Sequence, residues 1–184
     1  MPAQINISIM VDVVGALRSG TLSGFVNLRD NSRLPCTTGQ GTPFLSTACP
    51  GGTVLNWFVY PVDVQSPVSL QAVTFLGPSE PCAKLRVYGY PVSQPPDVET
   101  PIAYPYWAGI VRPDVAPGVY GYQLELQVAD RSLILPQLPS VQVLPGVTNR
   151  RTVTGRTILQ SATHHAAEQG YLRGRRTPWH NSFP

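Results

Sequence analysis

Apolar and polar residues alternate with period two in several short stretches of this 184-residue chain. In INISIMVDV, residues 5–13, Ile5, Ile7, Ile9, Val11 and Val13 fall on one face, and Asn6, Ser8, Met10 and Asp12 on the other. This alternation predicts a strand with one wet face. GALRSG then reads as a turn or single helical turn, and FVNLRD as a second strand. Residues 31–43, rich in Gly, Pro, Thr and Ser, read as a long loop, and FLSTAC as a short edge strand. TVLNWFVYPVD, residues 53–63, is dense in β-branched and aromatic residues. It places Leu55, Trp57 and Val59 opposite Asn56, Phe58 and Tyr60, as expected of a central strand ended by Pro61.

PVSLQAVTFLG, AKLRVYGY and YWAGIVR continue the strand pattern. The proline-rich run 90–105 between the last two has no period and is long enough to cross between two sheets. The strongest signal is PGVYGYQLELQVADRSLILPQLPSVQVL. Here Tyr120, Tyr122, Leu124, Leu126 and Val128 alternate with Gly121, Gln123, Glu125 and Gln127, Ala129-Asp130 makes a turn, and PSVQVL supplies a closing strand. Eight to ten short strands without a convincing helix predict an all-β fold, an antiparallel β-sandwich with Greek-key connections of the Ig or jelly-roll kind, over residues 1–146.

Composition changes at Val147. Residues 1–146 hold seven bases and nine acids, a net of −2, whereas residues 147–184 hold six arginines and one acid, a net of +5. TGRTILQSATHHAAEQG offers an N-cap threonine at Thr154 or Thr157, a narrow stripe of Ile158, Leu159, Ala162, His165, Ala166 and Gln169, and Gly170 as a stop. A helix this weakly amphipathic needs a surface to lie on. Residues 147–184 therefore read as a basic C-terminal extension that orders on a partner. Its Tyr171, Arg173, Arg175, Arg176 and Trp179 are residue types favoured as interface anchors, and these five are the candidate partner-binding residues.

The candidate chemistry is sparse. All three histidines, His164, His165 and His180, lie in the extension, so the sandwich has no imidazole for a Ser/His/Asp or Cys/His site. On a helix the adjacent His164 and His165 point about 100° apart and cannot share one metal. Cys36, Cys49 and Cys82 form no CxxC, and no DxDxN-like run offers a calcium loop. A Cys36–Cys49 bridge is open to the sequence, but three free thiols fit better with an N-terminus that shows no export signal, which also points to a cytoplasmic site. Asp12, alone in an apolar strand, reads as a solvent-facing or turn-capping acid. We expect no enzyme activity, cofactor or metal site. Nucleic acid is the weaker partner for the arginines, because the sandwich offers no extended basic face. The alternative to a protein partner is a carbohydrate or small polar ligand held by Tyr104, Tyr106, Trp107, Tyr120 and Tyr122, residues that also suit core packing.

INISIMVDVVGAL, LNWFVYPVD, YWAGIV and PGVYGYQLELQVADRSLILPQLPSVQVL, in this order over residues 5–144, resemble the bacterial inclusion-body protein family that includes PixA and AidA. The resemblance implies a small β-sandwich with no assigned catalytic residue, some of whose relatives accumulate as intracellular inclusions. It carries over no binding residues, and it leaves out the link at 91–105 and the extension. Together these readings lead to a structural, self-associating homo-oligomer whose extension docks on a neighbouring subunit, with no membrane contact.

Overall fold

The computed structural model describes residues 3–63, 66–89 and 105–146. The described residues form ten strands and one short helix: β1 (Gln4–Val11), α1 (Val13–Ser19), β2 (Val26–Asp30), β3 (Ser46–Pro50), β4 (Val54–Pro61), β5 (Val68–Phe75), β6 (Cys82–Tyr88), β7 (Tyr106–Val111), β8 (Gly118–Val128), β9 (Arg131–Ile134) and β10 (Ser140–Leu144). One sheet runs β2-β1-β4-β7-β6. The other runs β3-β10-β8-β5, with β9 also pairing to β8. The inward faces bury Ile5, Ile7, Ile9 and Val11 of β1, Leu55 and Trp57 of β4, and Tyr122, Leu124, Leu126 and Val128 of β8. These are the alternate positions that the sequence pattern assigns to one face.

The all-β sandwich is therefore present, but its sheets are mixed. β1 pairs parallel to β4 and β10 parallel to β3, where antiparallel pairing was expected throughout. The chain leaves β1, makes α1, β2 and β3, and returns beside β1 as β4 in the same direction. The proline-rich link also joins neighbours in one sheet rather than crossing between two, because β6 and β7 pair antiparallel with Tyr88 opposite Tyr106. The link itself, residues 90–104, lies outside the described residues.

The first strand ends two residues earlier than its alternation suggests. Asp12 stops it by capping α1: its Oδ1 accepts from the Gly15 N–H at 2.9 Å, the capping role read for it from the sequence. The helix ends at Gly20, whose φ of 70° is left-handed backbone that glycine adopts without strain. Val13 and Ala16 close the core below.

The loop after β2 shields two sheet edges. The Leu28 N–H donates to the Thr42 carbonyl and the Gly41 N–H to the Leu28 carbonyl, while the Gln40 side chain accepts from the Asp30 N–H and donates to the Asp30 carboxylate. Thr38 and Ser46 then bond reciprocally, and Thr37 Oγ1 accepts from the Ala48 N–H, so the same loop covers β3. The opposite edge strands, β5 and β6, are broken by bulges at Leu70/Ala72 and Ala83/Arg86. Lys84 sits in the second bulge at φ 55°, a conformation costly for a residue with a side chain. Trp107 donates from Nε1 to the Leu70 carbonyl at 2.9 Å, occupying one acceptor of the β5 edge. Covered or bulged edges resist strand addition by another chain.

Candidate interaction surface

β4 points its aromatics in both directions. Trp57 enters the core, where it meets Tyr122 at 5.8 Å and Phe75 at 6.4 Å between ring centroids, both edge-on. Phe58 and Tyr60 project from the outer side of the sheet. The register that sets Trp57 opposite Trp107 brings Phe58 beside Tyr106 on β7, and β6 adds Tyr88 opposite Tyr106. The result is a row of nearly parallel rings. Tyr60 and Phe58 are 6.4 Å apart at 17°, Phe58 and Tyr106 4.9 Å at 24°, and Tyr106 and Tyr88 5.9 Å at 23°. The Arg86 guanidinium completes one end, 4.8 Å from the Tyr88 ring centroid.

The Tyr60 end of this row faces solvent, and its other three rings are partly buried. Tyr60 is 46% exposed and the following Val62 69%. Full burial of one such side chain is worth about 1.5–3 kcal/mol, so covering the exposed Tyr60 and the uncovered parts of Phe58, Tyr106 and Tyr88 would be favourable. The outer face of the other sheet is different. Gln123, Glu125 and Gln127 alternate along β8 with its buried residues, and Ser132 donates to Glu125 Oε1 at 2.6 Å. Val119 and Ile134 are its isolated apolar exposures on those strands.

The chemically reactive groups are withdrawn. All three cysteines are free, so the Cys36–Cys49 bridge does not form. Burial pushes the Cys49 thiol up to about 12, with a smaller contribution from Asp30. Burial likewise raises Cys82 to about 12, helped by Cys49 and Glu80. A thiol held protonated is neither a nucleophile nor a metal ligand at neutral pH. Burial also raises the Tyr122 phenol, opposed in part by Trp57. Among the described residues no group of three or more His, Cys, Asp or Glu side chains is placed to hold a metal. An open groove beside β6, about 470 Å³, is lined by Glu80, Cys82, Lys84, Leu85 and Arg112. Its Arg112 is committed to Asp114 at 2.7 Å, a pairing that raises the guanidinium pKa and lowers that of the carboxyl. None of the described helices is long and apolar enough to cross a membrane.

The structure separates the aromatics that the sequence grouped as a sugar platform. Tyr122 is fully buried, Trp107 is half-buried and bonded to Leu70, and the Tyr120 hydroxyl donates to the Ala116 carbonyl at 2.7 Å. Tyr106 alone of the described four joins the outer row, while Tyr104 lies outside the described residues. The partner-binding candidates Tyr171, Arg173, Arg175, Arg176 and Trp179, and the helix read over 154–170, also lie outside them. Sequence reasoning placed Phe58 and Tyr60 on one face but missed the row. The available signal was a run of large aromatics at outward positions, where a half-wet strand normally carries polar residues.

With this architecture in hand, the chain is an all-β sandwich built of two mixed sheets. It is similar in fold to the crystal structure of the inclusion body protein PixA from Burkholderia cenocepacia J2315, with a TM-score of 0.57 and 10% identity over 78% of this chain and 97% of that one. The resemblance read from the sequence thus extends to the fold. Residues 3–133 match the family described as a domain of unknown function, DUF8788, and the protein belongs to that family. Comparison with curated proteins finds no match.

Proposed function

We propose that this is a non-enzymatic structural protein that self-associates into a larger intracellular assembly, with residues 1–146 as the sandwich and residues 147–184 as a basic extension docking on a neighbouring subunit. The observation that carries this reading is the outer-face row of Tyr60, Phe58, Tyr106 and Tyr88, exposed at Tyr60, on a sandwich that buries Cys49 and Cys82 and has no histidine. Sheet-face aromatics are favoured interface anchors. Free cysteines fit a reducing, cytoplasmic compartment, and the fold neighbour is itself named as an inclusion body protein. The row favours a protein over a sugar partner. Rings 4.9 Å apart and nearly parallel cover one another's faces, whereas sugar stacking needs an open face.

Light scattering on the full chain tests the reading. Replacing Arg173, Arg175, Arg176 and Trp179 together with alanine is expected to lower the assembled mass toward that of a single chain. An unchanged mass at the same concentration would count against the extension's role.

A further inference from the structure

We propose that the open groove beside β6 binds a small zwitterion, an α-amino acid with an apolar side chain, whose carboxylate is held by Lys84 and whose ammonium is held by Glu80. The site is independent of the association surface. Composition singles Lys84 out first: it is the one lysine of a chain that carries twelve arginines. Arginine presents a planar fork, whereas lysine is a point charge on a flexible stem whose three protons can turn toward a compact anionic group.

The backbone singles out the same residue. Ala83 pairs with Ile110 and Arg86 with Ala108, so Lys84 and Leu85 both stand opposite Gly109. In a bulge of this kind the first residue takes left-handed backbone, which glycine adopts without steric cost. Here a lysine takes it, at φ 55°. Strained positions of this sort gather at ligand sites. The path of the bulge is set by close packing: a β-carbon at Gly109 would lie 3.2 Å from both Cys82 Cβ and Leu85 Cδ1, so the bulged strand uses the space that a side chain there would fill.

The groove has the size and the charges for such a ligand. Its volume, about 470 Å³, lies within the range of small-molecule sites. Ala83 and Leu85 supply apolar wall, and Glu80, Lys84 and Arg112 supply charge. Arg112 is committed to Asp114 at 2.7 Å. Among the described residues Lys84 and Glu80 join no ion pair, either with each other or with a third group. A cation and an anion that line one recess without neutralising each other are the complement of a molecule that carries both charges. A simple anion would satisfy Lys84 and be repelled by Glu80, and a simple cation the reverse.

Isothermal titration calorimetry of the full-length protein with L-leucine, and separately with acetate and with methylamine, tests the site. The expected result is a leucine dissociation constant below about 1 mM, with acetate and methylamine each at least tenfold weaker because each meets half of the charge pair. Lys84→Gly relieves the left-handed strain, so this variant is expected to melt above the parent and yet bind leucine at least tenfold more weakly. Glu80→Gln is expected to weaken leucine by a similar factor. Were Lys84 only a structural residue, the glycine variant would keep the parental affinity. That outcome, the lack of leucine binding by the parent, or acetate binding as tight as that of leucine would each overturn the proposal.

Discussion

Trp57 and Phe58 are neighbours on β4, yet they belong to two aromatic groups with opposite physical roles. Trp57 meets Phe75 and Tyr122 at steep angles, 73° and 78°, and is fully buried between the sheets. Phe58 lies in a row on the outer side of the sheet whose members are nearly parallel, partly buried at Phe58, Tyr106 and Tyr88 and exposed at Tyr60. Edge-on packing fills a three-dimensional core, because each ring presents its positive edge to another's negative face. Offset rows follow the flat geometry of cross-strand neighbours and leave one side of the whole row uncovered. One strand thus carries a group that holds the fold together and a group that has contact area to offer.

The difference predicts unequal costs. Trp57→Ala is expected to remove about 3–5 kcal/mol of stability, the range for emptying a large aromatic site in a core, read as a drop in the urea midpoint. Phe58→Ala in the same assay is expected to lose less than half as much, since its ring lies on the outer side of the sheet and keeps part of its surface in water. Equal losses would erase the distinction between the two groups.

The inner side also sets a pH response. Cys49 and Cys82 titrate at about 12 in the folded protein, against an ordinary value of 9.0, and the Tyr122 phenol is raised as well. Below pH 9 both folded and unfolded chains keep these protons, and the stabilisation is complete. As pH rises from 9 toward 12 the unfolded chain releases protons that the folded chain retains, so stability falls. Melting curves across that range are expected to move steadily downward, and less steeply for Cys49→Ala combined with Cys82→Ala. Under native conditions a thiol reagent at pH 8 is expected to modify Cys36 and spare the other two. Rapid reaction of all three would mean the core opens readily.

The smallest effect concerns the end of the outer row. Arg86→Ala removes a cation–π contact at an exposed site, worth about 0.5–1 kcal/mol at most. Its effect on the melting temperature is expected to be slight. A loss comparable with that of Trp57→Ala would mean that the row is structural.

Much of this arrangement is legible in the sequence, and the missing parts have physical causes. β1 and β8 announce themselves because each buries one face, and alternation is the direct imprint of that burial, whereas β4, which buries Asn56 as well as Leu55 and Trp57, stands out by its β-branched and aromatic residues. The helix α1 is harder to see. Val13 continues the alternation of β1, and the element is only seven residues long, so the Asp12 cap rather than any periodicity marks the boundary. Pairing direction is not local information. That β1 lies parallel to β4 depends on the whole excursion through α1, β2 and β3. The outer row depends on register in the same way: Phe58, Tyr88 and Tyr106 come from three strands and align only because a bulge at Lys84 sets the β6 pairing. For a carbohydrate site the sequence offered Tyr120 and Tyr122, but Tyr122 is fully buried and Tyr120 packs against the core, so they share no open surface.

The most direct test of the division between inner and outer aromatics is sedimentation equilibrium of the full chain carrying Tyr60→Ser and Tyr106→Ser, with melting followed in parallel. A matched variant with Gln123→Ala and Gln127→Ala on the opposite face serves as the comparison. If the outer row is the association surface, the tyrosine variant dissociates at a concentration at least tenfold higher than the parent while still melting cooperatively, and the glutamine variant behaves like the parent. An unchanged dissociation concentration for the tyrosine variant, or an equal shift for the glutamine variant, would contradict it.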